Sequence, residues 1–131
     1  MSRRLTGAAL AEAVLDLIRR NPERHYQGAW MVGNGNSPVE EVESCGTAAC
    51  LAGWAVILNG VAGESIYAAK TRLAKDLGVP AFWDDVAARL FSEGDPDVED
   101  TVSRIFYVGT NEFATRELAG LFGLSDPYDE G

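Results

Sequence analysis

Cysteine and histidine are scarce in this chain, with two of the first and one of the second. Two thiols are too few for the disulfide framework of a small secreted domain. One histidine leaves a single imidazole for any acid-base or metal chemistry. Basic side chains are also few, eleven against twenty acidic ones, for a formal charge of −9. The phosphate backbone of a nucleic acid is held by clustered Lys and Arg, and no basic stripe exists here. Nucleic acid and anionic membrane are therefore not expected partners. No run approaches the roughly 18 to 20 apolar residues that a membrane span needs. The start is basic at Arg3 and Arg4, but Glu12 and Asp16 interrupt the apolar residues after it, so no secretory h-region forms and a cytoplasmic location is expected. A glycine-rich phosphate loop is missing too: Gly33, Asn34, Gly35 and Asn36 have neither the strand-to-helix setting nor the lysine.

What remains is ordinary for a globular chain, with 47% hydrophobic and 24% charged residues among 131. That length suits one domain over residues 1–131 with a single core. The charge excess is uneven: six acids and five bases up to Ser44, then fourteen and six.

Periodicity of 3.6 predicts a bundle of five to six helices, an all-α fold. The first spans residues 6–20, with Leu10, Ala13, Val14, Leu17 and Ile18 as its stripe. Residues 22–44 lack that period and carry three glycines and two prolines, a long irregular loop. Within it, residues 30–32 and 39–42 are candidates for a short hairpin, left open across 30–42. Residues 47–59 are apolar almost all round, which predicts a buried central helix with Thr47 as its N-cap and a left-handed ending at Asn59 and Gly60. Further helices are expected over 65–77, 80–91, from Asp95 toward Gly109, and over 110–122. Gly78 before Val79 and Gly123 before Leu124 are read as the same glycine-capped ending. Residues 125–131 are expected to form a flexible acidic tail.

The chemistry-bearing stretch is residues 45–55, where both cysteines meet the start of the buried helix. In one straight helix Cys45 and Cys50 would stand about 140° and 7.5 Å apart, too far to share a metal or a disulfide. If Cys45 precedes the helix, its side chain can fold back toward Cys50. Three readings are open. Both thiols pack as small apolar groups. Alternatively Cys45, at a helix N-terminus that favours thiolate, is a nucleophile with His25 as its base, Gln27 as an oxyanion donor and Asp16 or Glu23 orienting the imidazole. The third is a small zinc site at Cys45, Cys50 and His25, although C-x4-C is looser than the usual knuckle. Residues 71–90 also read like a helix-turn-helix, but Asp84 and Asp85 on its second helix would meet phosphate charge.

His25 with the preceding Asn21, Pro22, Glu23 and Arg24, then Trp30, then residues 45–55, resemble a loose group of small bacterial and phage hypothetical proteins. Those combine an N/H-P-E segment with a C-G-T-x-x-C-x-A-G-W-A motif. The resemblance covers mainly residues 21–59 and brings no activity, fold or cofactor with it. It implies that His25, Trp30, Cys45, Gly46, Thr47, Cys50, Gly53 and Trp54 act as one unit. The function expected is that of a non-enzymatic accessory protein that binds another protein through an acidic helical face and self-associates, with no cofactor or metal. A cysteine-dependent enzyme at Cys45 and His25 is the alternative.

Overall fold

Amphipathic stripes too narrow to be stable alone have to bury against one another, and the computed structural model shows how they do so. It describes residues 4–21, 23, 25, 31–32, 48–107 and 110–127, with residues 31, 32, 48 and 49 as backbone only. Among these residues six helices form an all-α bundle: α1 (Gly7–Arg20), α2 (Leu51–Ile57), α3 (Ile66–Leu77), α4 (Trp83–Ser92), α5 (Pro96–Ile105) and α6 (Asn111–Phe122). Two short strands, β1 (Met31–Val32) and β2 (Ala48–Ala49), pair antiparallel, Met31 with Ala49 and Val32 with Ala48.

The β pairing corrects the expected start of α2. Ala48 and Ala49 have high helix propensity, yet their backbone groups are taken by β1. The helix therefore begins at Leu51 with Cys50 as N-cap, its backbone extended, in place of a cap at Thr47. Residues 39–42, the other half of the candidate hairpin, lie outside the described residues. The end of α2 differs as well. Leu58 closes it in right-handed geometry, Asn59 N–H reaches Val56 O and Gly60 N–H reaches Ile57 O, so no left-handed cap is formed at Gly60. The Asn59 side chain is used elsewhere, on Leu5 and Ala55.

All seven residues of α2 are buried, as an all-apolar helix requires. It shares the centre with α4, which packs on α1, α2, α3 and α5. The core runs through Leu10, Val14, Ile18, Leu51, Trp54, Ile66, Leu73, Leu90, Phe91 and Leu118, all fully or almost fully buried. Not every apolar helix residue belongs to it. Ala13 is half-exposed while its neighbours Ala11 and Leu15 are buried, Trp83 is half-buried, and Phe113 is exposed with the Arg116 guanidinium over its ring at 5.3 Å.

Caps and turns follow sequence chemistry closely. Asp95 Oδ1 accepts from Asp97 N and Val98 N, with Pro96 at the first helical position. Ser65 and Thr110 cap α3 and α6 through their hydroxyls. Gly78 and Gly123 adopt φ of 71° and 68°, and the following Val79 and Leu124 donate to Ala74 O and Ala119 O while packing on the core. Glu93 is the described non-glycine residue with positive φ, 54°. That geometry ends α4 and turns its carboxylate to Thr6 Oγ1, which donates at 2.8 Å. The tail is placed as far as Pro127: Arg19 donates to Ser125 O and Pro127 is buried, while residues 128–131 lie outside the description.

Candidate functional site

The motif residues separate in the structure. Gly53 and Trp54 are interior residues of α2, and Cys50 caps its N-terminal end. Cys50 is 1% exposed, and its Sγ accepts from Gly53 N at 3.5 Å. Burial pushes its thiol up to about 11, against smaller lowering from the Gly53 and Ala52 amides. A thiol so protected stays protonated near neutrality, the opposite of what nucleophilic catalysis needs. Cys45, Trp30, Gly46, Thr47 and Gln27 lie outside the described residues.

His25 is 3% exposed and held by α6. Asn111 Nδ2 donates to His25 O at 2.8 Å, and Thr115 Oγ1 lies 3.5 Å from His25 Nδ1. Thr115 spends its one hydroxyl proton on Asn111 O at 2.6 Å. Toward the ring it can only accept, which selects the tautomer with hydrogen on Nδ1. Asp16, a candidate for orienting the imidazole, instead pairs with Arg19 and Arg20 on the outer face of α1. Among the described residues no three His, Cys, Asp or Glu side chains are placed to share a metal ion. The zinc arrangement requires Cys45, outside that set.

A polar cleft of about 360 Å³ is lined by Arg4, Asn59, Arg72 and Asp76. Arg72 meets Glu64 with two hydrogen bonds, 2.7 and 3.0 Å, and also donates to Asn59 O. Asp76 faces both Arg4 and Arg72. Its two cations are thus answered by two carboxylates, and the cleft serves as a clamp between α2 and α3.

The surface that stands out chemically lies around α4, which packs on both α3 and α5. Phe82 is 65% exposed, Tyr107 66% and Tyr67 46%. The half-buried Trp83 packs on Tyr67, their ring centroids 6.4 Å apart. Lys70 Nζ sits 5.0 Å from the Trp83 centroid and 5.8 Å from that of Tyr67. Tyr107 donates its hydroxyl to Asp84 Oδ2 at 2.7 Å, and this bond holds the phenol up at about 12. Asp85 is raised by burial, then by the charges of Asp84 and Glu99. Single exposed apolar residues are normal on a protein, whereas neighbouring aromatics rimmed by charge mark contact surfaces.

Sequence reasoning missed this face because helical spacing assigns Trp83 to the core stripe and says nothing of Phe82 or Tyr107. The one signal was Phe82 next to Trp83 immediately before two aspartates. Compared with protein-family models, curated proteins and solved structures, the chain matches none.

Proposed function

We propose that the protein is a non-enzymatic protein-binding accessory, and that the aromatic face of Tyr67, Phe82, Trp83 and Tyr107 is where its partner docks. One observation carries the reading: Phe82 and Tyr107 are about two-thirds exposed, Tyr107 is bonded to Asp84, and the half-buried Trp83 packs against the exposed Tyr67 with Lys70 over both rings. Aromatic side chains with little rotamer entropy to lose contribute disproportionately to protein interfaces. The cysteine-enzyme reading rests on Cys45 with His25, and Cys45 lies outside the described residues; the described thiol, Cys50, is buried and raised.

Site-specific photo-crosslinking tests the proposal. Benzoylphenylalanine replaces Phe82 in one version of the full chain and Glu117, on exposed α6 surface, in another, each expressed in the native cellular setting. A discrete protein adduct at position 82 that is missing at 117 is the expected result. Equal labelling at both positions, or none at 82, overturns it.

A further inference from the structure

Three helices end on a left-handed residue. In α3 and α6 it is glycine, Gly78 and Gly123, whereas α4 uses Glu93 at φ 54°. A side chain in that geometry crowds the neighbouring carbonyl, a cost that glycine avoids. Such an outlier points to a task that glycine could not perform. The Glu93 carboxylate reaches the start of α1, where Oε2 accepts from Thr6 Oγ1 at 2.8 Å. Gly7, buried and at φ 55°, has no space for a Cβ against the same carboxylate. Thr6 is the last of three residues, 4–6, that lie outside helix and strand and are pinned by side chains from three places. Arg4 Nη2 is 3.6 Å from Asp76 Oδ2 on α3, the Leu5 peptide is bonded on both sides by Asn59 after α2, and Thr6 is bonded by Glu93 at the end of α4. Arg4 and Asn59 also line the polar cleft, so this segment forms part of its wall.

We infer that residues 4–6 are a strap hinged at Gly7 that opens as a unit while the bundle stays folded, and that Glu93 is the latch holding it closed. This inference is independent of the docking reading. The pins are side-chain contacts, so releasing them leaves the backbone ladders of α2, α3 and α4 intact, and the partly buried Leu5 is the apolar anchor. A glycine at the hinge absorbs the change of direction without steric cost. Opening parts Arg4 from Asp76 and frees one side of the Asn59 amide, whose bond to Ala55 O remains. Access to the cleft is thereby tied to a residue at the corner between α4 and α5, which trades backbone strain for the bond to Thr6.

Amide hydrogen exchange of the full chain labelled with 15N tests both parts, with rates corrected for intrinsic exchange. The Leu5 amide, bonded to Asn59 Oδ1, reports the strap, and the Trp54 amide, bonded to Cys50 O in the core, reports global unfolding. Leu5 is expected to exchange at least about 100-fold faster than Trp54 and to be nearly indifferent to low urea, which accelerates Trp54 steeply. Ile105→Val, on α5, which supplies none of the pins, is expected to speed Trp54 about fivefold and Leu5 less than about twofold. Thr6 makes no bond to the helix it caps, so Thr6→Val removes the latch bond alone, and Glu93→Gly removes it from the other side. Each is expected to speed Leu5 about fivefold. The two variants differ at Trp54, which is expected to exchange more slowly in Glu93→Gly than in Thr6→Val because glycine takes the left-handed geometry without strain. The same response of Leu5 and Trp54 to urea and to Ile105→Val overturns the strap and makes residues 4–6 an integral part of the bundle. Unchanged Leu5 exchange in Thr6→Val or in Glu93→Gly, or equal Trp54 rates in the two, overturns the latch.

Discussion

The side-chain amide of Asn59 holds the Leu5 peptide from both sides: Oδ1 accepts from Leu5 N at 2.6 Å and Nδ2 donates to Leu5 O at 3.1 Å. Nδ2 also donates to Ala55 O at 2.9 Å. One nearly buried side chain thus replaces a strand partner and ties the segment before α1 to the end of α2. Each such bond contributes about 1 kcal/mol net, and more when its loss leaves a buried group unpaired. Asn59→Ala is expected to lower unfolding stability by about 2–3 kcal/mol, read from the urea midpoint at unchanged slope. A loss under about 0.5 kcal/mol would show that water replaces the amide freely.

Cys50 provides a kinetic test. With its thiol buried and held at about 11, native protein should not be alkylated at this position from pH 6 to 9, and should react fully in denaturant. The sign for stability comes from linkage. Between the ordinary value of 9.0 and about 11 the folded thiol retains a proton that the unfolded one releases, so Cys50 reduces stability as pH rises through that window. Cys50→Ala should remove this alkaline decline. Rapid labelling of native Cys50 near neutrality, seen by peptide mapping, would contradict the packing.

His25 and Thr115 fix a tautomer. Nitrogen NMR of the imidazole should report hydrogen on Nδ1, because the Thr115 hydroxyl proton is committed to Asn111 O. Thr115→Val keeps the shape of the side chain and removes the acceptor, at an expected cost of about 1–3 kcal/mol for the buried ring nitrogen left behind. A neutral ring with hydrogen only on Nε2 would refute this arrangement.

Glu64 and Arg72 should stabilise the fold in a pH-dependent way. The hydrogen bond from Arg72 holds the Glu64 carboxyl below its ordinary 4.5, against opposing desolvation. The contribution is present above that value and is lost as pH falls through the lower folded one. Glu64→Gln is expected to cost about 1–3 kcal/mol at pH 7, with the difference from the natural chain shrinking in acid. A constant difference from pH 7 to 2 would exclude the ion pair as its source.

Tyr107 is expected to ionise only in strong alkali. Its phenol is raised to about 12 by the bond to Asp84, and ultraviolet titration of Asp84→Asn should move it back toward the ordinary 10.0. No movement would show that the Tyr107 to Asp84 bond is not made in solution.

Local chemistry was the legible part of this fold. Asp95 with Pro96, Ser65, Thr110, Gly78 and Gly123 mark helix ends through bonds and φ angles spanning a few neighbouring residues, and they do so in the structure. The all-apolar run of α2 likewise dictates enclosure. Where a distant segment competes for the same groups, local reading fails. Ala48 and Ala49 are helix formers drawn into an extended ladder by residues 31–32, and that shifts the cap from Thr47 to Cys50. The candidate site divides in the same way. The apolar residues 51–55 announce a buried helix, whereas the placing of His25 against α6 depends on contacts 86 and 90 residues away.

Sequence alone determined the all-α class, the acidic balance and the positions of most helix ends, because propensity, periodicity and capping act within one or two turns. Tertiary structure decided which aromatics stay outside, since the exposure of Phe82, Trp83 and Tyr107 is set only after α3, α4 and α5 have packed. It also decided that Cys50 is a buried cap, because the burial that raises its thiol is supplied by the surrounding bundle.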